Sequence, residues 1–373
     1  MIRLIFTIIL ALISLLAVFK AFEYHMWLLA IGVTEFPWLF STITLVVLLT
    51  GFFGGRYITP GTIIGIVALL LFLSPILRAY VVAGNVRAEF DAAFGVTNTD
   101  STSAPYSFLK MFKKPVSVPY KKITYVKYAD TAMSLDFYPS QVLGKKPCVI
   151  VVHGGSWAGG DSQQLPELNS YLATKGYNVA AINYRMAPKW QTPAPVEDIV
   201  NTIKYMREHA EELHIDTTKF VLIGRSAGAQ IALLAAYTMH EKDLKGVVDF
   251  YGPADMVWGY SIPSNPLIMD SRKVMDQYIG GSFSQVPMKY YDCSPLNFVN
   301  EHSVPTLIIH GTNDVLVSPE HSHRLNGAMQ NNHIKHYWLQ LPWATHGFDY
   351  NLNGPGGQLS TYTTLQFLNT ITR

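Results

Sequence analysis

The chain has 373 residues, of which 49% are hydrophobic and 14% are charged, and its formal net charge at pH 7 is +2. This near balance provides no basic surface for nucleic acid, so nucleic-acid binding is not expected. The two cysteines, Cys148 and Cys293, lie far apart in the sequence, and a disulfide framework is not expected to define the fold.

Residues 1–84 form an apolar region with only six formally charged side chains. It contains three long apolar stretches, at about 4–22, 36–55 and 61–82. Because a hydrocarbon core of about 30 Å requires about twenty helical residues, the sequence predicts three transmembrane helices and a multi-pass integral membrane protein. A cleaved signal peptide at 1–22 lacks a small-x-small cleavage site and would leave two apolar stretches unexplained.

The positive charges that flank these stretches nearly balance. The amino terminus, Arg3 and Arg56 lie on one side, and Lys20, Arg78 and Arg87 lie on the other. With the usual priority of the first helix, the amino terminus is expected in the cytoplasm. Three crossings then place the rest of the chain outside the cytoplasm.

Residues 85–117 are predicted to connect the apolar region to a second domain. Asn98–Pro105 is polar, rich in turn-forming residues and without periodicity, as is typical of a linker. Val86–Phe94 is amphipathic, and Phe108–Lys114 combines aromatic residues with lysines, as in segments that lie on lipid headgroups. Helices that merely pack on the following domain are an equally valid interpretation.

Residues 118–373 have the length and pattern of a single α/β domain. Apolar strands that alternate with helices predict a mostly parallel, eight-stranded sheet with an antiparallel start. The predicted strands lie near 122–128, 133–138, 149–153, 178–183, 220–223, 246–251, 306–310 and 336–341. A long insertion rich in aromatic residues, at about 256–300, separates two of the late strands.

The third predicted strand ends in the glycine-rich segment His153–Gly160. A glycine-rich loop at this place can direct several backbone N–H groups toward one point. Such amides suit the negative charge that develops on a carbonyl oxygen during acyl transfer, and each donor lowers the barrier by about 3–4 kcal/mol.

A G-x-S-x-G motif, Gly224–Gly228, lies between the apolar strand 220–223 and an apolar helix. This context holds a serine hydroxyl clear of the backbone and within reach of a base. We therefore predict that Ser226 is a nucleophile. The predicted oxyanion hole consists of the amides of Gly154 or Gly155 together with that of Ala227.

An acid and an imidazole follow two later strands. Asp314 comes just after the strand 306–310, and His346 follows the strand 336–341. We predict that His346 is the general base and that Asp314 orients its imidazole. Asp255 also follows a strand and is an alternative acid, although the insertion after it favours a structural contact.

Other polar side chains near these motifs have structural interpretations. Arg225 can pair with an acid or approach an anionic substrate group, and the former is favoured. His153 and His310 are interpreted as hydrogen-bonded structural residues. No metal site is predicted from the later histidines, because no cysteine or acid falls at ligand spacing. These histidines are His321, His323, His333 and His336.

From about Val118 onward the chain resembles the α/β-hydrolase superfamily, in particular its carboxylesterase branch with an HGG oxyanion loop. That branch includes hormone-sensitive-lipase-like and feruloyl-esterase-like enzymes. The matching motifs are Asn183–Pro188, Pro195–Asp198, Ser226–Gly228, Ser294–Pro295 and His346–Phe348. Ser156 replaces the third glycine of the fuller oxyanion motif, and Arg225 replaces an acid before the nucleophile; neither change removes a catalytic group.

The resemblance implies an α/β-hydrolase fold, a triad of Ser226, Asp314 and His346, and no metal or organic cofactor. It also implies that the insertion 256–300 forms a cap with much of the acyl or alcohol pocket. The aromatic and aliphatic side chains of this insertion suit an apolar or aromatic ester.

The sequence thus predicts a membrane-anchored serine hydrolase that cleaves a small-molecule or lipid ester through an acyl-enzyme. An acyltransferase or deacylase that acts on membrane lipid or lipid-linked glycan would use the same triad. A non-catalytic membrane scaffold is the third hypothesis, against which the retained triad and oxyanion glycines argue. Because every catalytic candidate follows the linker, chemistry and anchoring are expected to be separable.

Overall fold

The computed structural model describes residues 1–54, 57–96 and 103–373. Most of the predicted linker, residues 98–102, lies outside the described residues. Eight strands form one sheet in the order β1-β2-β4-β3-β5-β6-β7-β8. The strands are β1 (Lys121–Lys127), β2 (Ala132–Tyr138), β3 (Lys146–Val152), β4 (Asn178–Ile182), β5 (Ile215–Arg225), β6 (Leu244–Phe250), β7 (Thr306–Gly311) and β8 (His336–Leu341).

The sheet confirms the prediction of a mostly parallel arrangement with an antiparallel start. β2 pairs antiparallel with both β1 and β4, whereas all pairs from β4 to β8 are parallel. Parallel strands are covered by helices on both faces, which is why β4 is buried along its whole length. The carboxyl ends of β3, β5, β7 and β8 therefore meet at one edge of the sheet, where open α/β sheets bind their ligands.

The described residues contain twelve α-helices. They are α1 (Ile2–Ser14), α2 (Tyr24–Glu35), α3 (Pro37–Leu49), α4 (Ile58–Phe94), α5 (Pro166–Thr174), α6 (Ala194–Glu208), α7 (Ala227–Thr238), α8 (Met256–Ser261), α9 (Ser271–Ile279), α10 (Pro287–Asp292), α11 (Glu320–Asn331) and α12 (Pro355–Ile371). Helices α8, α9 and α10 lie in the insertion for which the sequence predicts a cap.

Two apolar cores sandwich the sheet. One contains side chains of α6, α7 and α11 together with the helices of the insertion. The other contains side chains of α5 and α12, and it also includes Val86, Phe90 and Phe94 from the last third of α4. The end of the N-terminal region is therefore one of the helices that cover the sheet.

The first part of α4 packs with α1 and α3 in a small bundle. Arg3 closes one end of this bundle, because its guanidinium donates to the carbonyl oxygens of Val47 and Ile58 and to the Thr62 hydroxyl. At the other end, Arg78 donates to the carbonyl oxygen of Ala17. These contacts make α1 parallel to α4 and place the end of α3 beside the starts of both.

The membrane prediction requires correction in its helix bounds. Only α4 is by itself long and apolar enough to cross a membrane among the described residues, and α2 with α3 would count as a second span only across an 86° bend. The predicted stretches 4–22 and 36–55 contain helices that end earlier, at Ala17 and Phe53 when their short 3₁₀ turns are included. The structure therefore does not support three full-length spans.

Local sequence explains two of these differences. Pro37 cannot donate a backbone hydrogen bond, so it starts α3 afresh and separates it from α2, a helix the sequence analysis did not predict. Conversely, α4 extends well past the predicted end at residue 82, until Gly95 adopts a left-handed conformation. The amphipathic stretch Val86–Phe94 is therefore the end of α4, packed on the sheet rather than on lipid.

This continuity also contradicts the expectation that anchoring and chemistry are separable. Removal of residues 1–117 would strip Phe90 and Phe94 from the core, where their rings contact those of Tyr337 and Phe367. A domain that starts near Val118 would expose this apolar surface to water.

We expect Phe90→Ala to destabilise the hydrolase by about 3–5 kcal/mol, because a buried phenylalanine leaves a cavity when truncated. Leu77→Ala, on an exposed position of the same helix, is the control and should cost less than about 1 kcal/mol. Urea unfolding of the full-length protein in detergent, followed by tryptophan fluorescence, measures both. Equal midpoints for the two variants would show that α4 is not part of the hydrolase core.

Candidate active site

Ser226 occupies a strained turn between β5 and α7. Its backbone has φ 53° and ψ −120°, a conformation that non-glycine residues rarely adopt. A Cβ at Gly224 would lie 2.4 Å from the Cα atom of Ala229, and one at Gly228 would lie 2.3 Å from the carbonyl oxygen of His153. Both glycines are therefore required for the close approach of strand, turn and helix.

The three residues of the predicted triad form a continuous hydrogen-bonded chain. Ser226 Oγ lies 3.0 Å from His346 Nε2, and His346 Nδ1 lies 2.7 Å from Asp314 Oδ2. These distances suit proton transfer from the hydroxyl to the imidazole. Asp314 and His346 are buried, whereas Ser226 is partly accessible.

Asp314 is held by four hydrogen bonds. Its Oδ1 atom accepts from the amides of Leu316 and Val317, both at 2.9 Å, and its Oδ2 atom also contacts His310 Nε2 at 3.1 Å. Burial alone would raise the pKa of Asp314, but the two imidazoles outweigh it and hold this pKa well below its usual range. The carboxylate is therefore ionised, as is required to orient His346.

Of the amides predicted for the oxyanion hole, one is already engaged. The Gly154 amide donates to Gln164 Oε1 at 2.7 Å. Within the described ranges the amides of Gly155 and Ala227 have no hydrogen-bond acceptor. A Cβ at Gly154 would lie 3.3 Å from the Cβ atom of Ser226, which places this loop against the nucleophile.

Arg225 belongs to a buried cluster behind the triad. Its Nε atom donates to Asp349 Oδ2, and the hydroxyl of Tyr251 donates to Asp349 Oδ1. The ring of Tyr251 lies against the imidazole of His346, with centroids 4.4 Å apart. Burial disfavours the Arg225 charge, but Asp349 outweighs this effect and raises the pKa of the guanidinium. Arg225 thus pairs with an acid, the interpretation that the sequence favoured.

Asp255, the alternative acid, lies outside this hydrogen-bonded chain. Its carboxylate accepts from the amide of Trp258 at 2.9 Å, as the N-cap of α8, and pairs with Arg324 Nη1 at 3.1 Å. His310, which the sequence analysis interpreted as a hydrogen-bonded structural residue, contacts Ser322 through Nδ1 and Asp314 through Nε2. His153 is buried and stacks on Tyr184, and burial lowers its pKa.

No group of three or more potential ligands is arranged to hold a metal ion in the part of the chain that the structure describes. His321 accepts a hydrogen bond from the amide of Asp255, His323 contacts Glu320, and His336 contacts Asn326. Each histidine therefore makes its own local contact. Both cysteines are buried free thiols.

The N-terminal region reaches the triad directly. Trp27 Nε1 on α2 donates to the carbonyl oxygen of His346 at 3.0 Å. Further along α2, the Glu35 carboxylate accepts from the amide of Gly356 at 2.8 Å. Helix α2 thus lies between the bundle and the loop that carries His346, so this loop is fixed from the N-terminal side.

A cavity of about 320 Å³ adjoins the triad on its Asp314 side. Its wall includes Trp157, from the glycine-rich loop, and the cap residues 262–265; Ser226 and His346 do not line it. Lys20 and Ala21, from the segment between α1 and α2, complete the wall. The insertion thus contributes to a pocket beside the triad, and the N-terminal region contributes as well.

Sequence analysis missed three of these features: the contact of Trp27, the role of Tyr251 and the contribution of Lys20 and Ala21. Trp27 and His346 are separated by 319 positions, and no local motif signals such a contact. For Tyr251 the sequence offers one weak indication of a role in the site. It directly follows β6, the strand beside β5, which ends just before Ser226.

The sheet order, the strained serine turn and the site at the carboxyl edge together define an α/β-hydrolase fold. The BD-FAE family model matches residues 135–329, just over half of the chain, and the chain belongs to this family.

Individual relatives agree with this family. Esterase LipC of Mycobacterium tuberculosis (strain ATCC 25618 / H37Rv) is 28% identical over 266 residues, which cover 65% of this chain and 64% of LipC. The probable carboxylic ester hydrolase LipM of the same strain is 27% identical over 221 residues, which cover 55% of this chain and 50% of LipM. The chain therefore spans between half and two thirds of the length of these relatives.

A solved structure shows the same fold. Est2, a thermophilic esterase from Thermogutta terrifontis, superposes with a TM-score of 0.54 at 20% identity, covering 66% of this chain and 90% of that chain. At this identity the likeness concerns the fold alone.

We expect Asp314→Asn to lower kcat by about 10⁴-fold, because an asparagine no longer fixes the productive imidazole tautomer. Asp255→Asn, a matched change at an acid that only caps a helix and pairs with Arg324, should lower kcat by less than about tenfold. Steady-state hydrolysis of p-nitrophenyl butyrate compares them. If Asp255→Asn were the more damaging change, the triad acid would be misassigned.

We expect Arg225→Met to destabilise the protein by about 3–5 kcal/mol, because it leaves the Asp349 carboxylate buried without its cation. The double variant Arg225→Met, Asp349→Asn should recover part of this loss, since it removes the unpaired charge as well. Denaturant unfolding measures both variants. Additive losses in the double variant would mean that Arg225 and Asp349 do not act as a pair.

Proposed function

We propose that this protein is a membrane-anchored carboxylic ester hydrolase whose nucleophile is Ser226. The observation that carries the proposal is the continuous chain from Ser226 through His346 to Asp314 at the carboxyl edge of the sheet. The curated relatives support ester hydrolysis, since LipC is an esterase and LipM a probable carboxylic ester hydrolase. Free amides at Gly155 and Ala227 supply the donors that such a reaction needs.

The first half of the reaction forms an acyl-enzyme. His346 Nε2 accepts the hydroxyl proton as Ser226 Oγ forms a bond to the ester carbonyl carbon. The amides of Gly155 and Ala227 stabilise the negative charge on the carbonyl oxygen, and Asp314 stabilises the imidazolium. His346 then returns the proton to the alkoxide oxygen as the carbon–oxygen bond breaks, and the alcohol leaves.

The second half repeats these steps with water. His346 takes a proton from water as its oxygen attacks the acyl carbon, and the same two amides stabilise the oxyanion. The proton passes to Ser226 Oγ as the acyl–serine bond breaks, which releases the carboxylic acid. The proton transfers use Ser226, His346 and Asp314, which already lie within hydrogen-bonding distance of one another.

We further propose that the bundle of α1, α3 and the first part of α4 anchors the protein in a bilayer. Between Arg3 and Arg78, these described helical segments carry no charged side chain. From Thr62, which Arg3 contacts, to Arg78, the 16 residues of α4 extend about 24 Å at a rise of 1.5 Å per residue. This length approaches the hydrocarbon thickness, and the two arginines can reach opposite headgroup regions.

The proposed topology follows the up-down-up order of the bundle, in which α4 is the one helix of full spanning length among the described residues and the shorter α1 and α3 lie beside it in the bilayer. With the amino terminus in the cytoplasm, the hydrolase lies outside. Helix α2, which meets α3 at 86°, then lies along the hydrolase instead of crossing.

An acceptor other than water would make the same acyl-enzyme an acyltransferase intermediate. The partly accessible Ser226 admits either acceptor. Measuring how added alcohols or glycans divide the acyl group between transfer and hydrolysis distinguishes the two reactions.

We expect Ser226→Ala to abolish hydrolysis of p-nitrophenyl acetate and butyrate, with a loss of kcat of about 10⁵-fold or more. The protein should remain folded, because alanine removes only the hydroxyl. Ser284→Ala, on an exposed cap loop, is the control and should retain full activity. Undiminished hydrolysis by Ser226→Ala in detergent-purified protein would refute the proposed nucleophile.

A further inference from the structure

The segment between α1 and α2 is fastened to the cap at the mouth of the cavity. Asn265 Nδ2 donates to the carbonyl oxygen of Phe22 at 2.9 Å, and the amide of Tyr24 donates to the carbonyl oxygen of Leu267 at 3.1 Å. Asn313, next to the triad acid, donates to the carbonyl oxygen of Val18. The cap loop and this N-terminal segment therefore form one continuous rim.

The rim exposes large apolar side chains. Phe22 and Leu267 are 63% and 64% exposed, and Phe19 and Ile262 are similarly exposed at 62% and 58%. A single exposed apolar side chain is ordinary, but four of them on two hydrogen-bonded segments beside a cavity are typical of a contact with lipid or with an apolar ligand. Phe22 and Leu267 are not part of the cavity wall. Their side chains are therefore exposed at the surface of the protein and not toward the interior of the cavity.

The rim lies beside the end of the bundle that Arg78 closes, opposite the end that Arg3 closes. Arg78 binds the carbonyl oxygen of Ala17, directly before the rim segment. At the same end of the bundle, Trp38 at the start of α3 contacts Phe112, with ring centroids 5.2 Å apart, and Leu109 nearby in sequence is exposed. Aromatic side chains of this kind favour the boundary between hydrocarbon and headgroups.

Inside the rim, the cavity is mostly apolar. Met256, Ile268, Met269, Val274 and Met275 contribute to its wall. Flexible methionine side chains adapt to irregular apolar ligands. The cavity therefore suits an acyl chain better than a polar alcohol.

We infer that the ester cleaved at Ser226 is a long-chain ester resident in the bilayer, whose acyl chain enters the cavity across the exposed side chains of Phe22 and Leu267. This inference rests on the proposed hydrolysis at Ser226 and names its substrate class. The bundle holds the rim at the membrane surface, so the acyl chain need not cross water. Transfer of an acyl chain through water would otherwise expose every methylene group to solvent, which is unfavourable.

The test uses the full-length protein reconstituted in phosphatidylcholine vesicles. Hydrolysis of 4-methylumbelliferyl oleate dissolved in the vesicles is compared with that of p-nitrophenyl acetate in the surrounding buffer. The variants are Phe22→Ser, Leu267→Ser and the double variant. Leu143→Ser is the control, since Leu143 is 96% exposed but lies in the loop before β3, at the opposite edge of the sheet.

We expect the double variant to hydrolyse oleate ester at least about tenfold more slowly, with smaller losses in each single variant, while acetate hydrolysis changes by less than about twofold. Leu143→Ser should leave both rates within about twofold of the wild type. Because the bundle still anchors every variant, a selective loss reports the rim and not membrane attachment.

Three results would overturn the inference. They are an unchanged oleate rate in the double variant, an equal loss on oleate and acetate, and a wild-type protein that hydrolyses acetate but not vesicle-borne oleate. Failure of the underlying hydrolase proposal is distinguishable, because Ser226→Ala would then retain acetate hydrolysis in the same vesicles.

Discussion

The strained turn at Ser226 is the constraint on which the remaining site depends. A non-glycine residue at φ 53° and ψ −120° costs on the order of 1–3 kcal/mol and persists only where its surroundings fix it. Here the Ser226 amide donates to the carbonyl oxygen of Phe250 on β6, and Gly228 packs directly against the end of β3. The turn therefore joins three neighbouring strands, and it brings Ser226, the predicted nucleophile, to the glycine-rich loop and to His346.

The same turn explains the buried charge beside it. Arg225 is the last residue of β5, so its side chain enters the layer of α12 and meets Asp349 in the loop that follows His346. Tyr251, the residue after β6, shares Asp349 and supports the imidazole. The ion pair of Arg225 and Asp349 thus connects the turn that holds Ser226 to the loop that follows His346. This connection limits how far Ser226 and His346 can move apart.

Helices α4 and α2 join the apolar region to the sheet and to the predicted triad. The end of α4 covers the sheet through Phe90 and Phe94, and Trp27 of α2 holds the carbonyl oxygen of His346. Side chains from the segment between α1 and α2 complete the cavity beside the triad. Loss of the N-terminal helices would therefore expose this core and open the cavity.

Local patterns predicted the sheet well, because short apolar runs such as 149–152 and 220–223, each followed closely by glycine, are typical of buried strands. The G-x-S-x-G context and the residues after β7 and β8 likewise placed Ser226, Asp314 and His346 at one edge before their distances were known. Sequence patterns could not predict that Gln164 engages the Gly154 amide or that Trp27 reaches His346, since both contacts depend on tertiary packing. Hydropathy overestimated the number of full-length membrane spans, because it measures only the length of an apolar stretch. It does not register the helix break at Pro37 or the packing of a helix on the sheet.

Peptide mapping after reaction with a fluorophosphonate tests the assigned chemistry most directly, because this reagent forms a stable bond with an activated serine oxygen. The full-length protein is labelled in its membrane, digested and analysed by mass spectrometry. We predict one adduct per chain, on the peptide that contains Ser226, and no adduct when the protein is unfolded in acid before the reagent is added. An adduct on a different serine, or no adduct in protein that hydrolyses esters, would contradict the assignment of Ser226, Asp314 and His346.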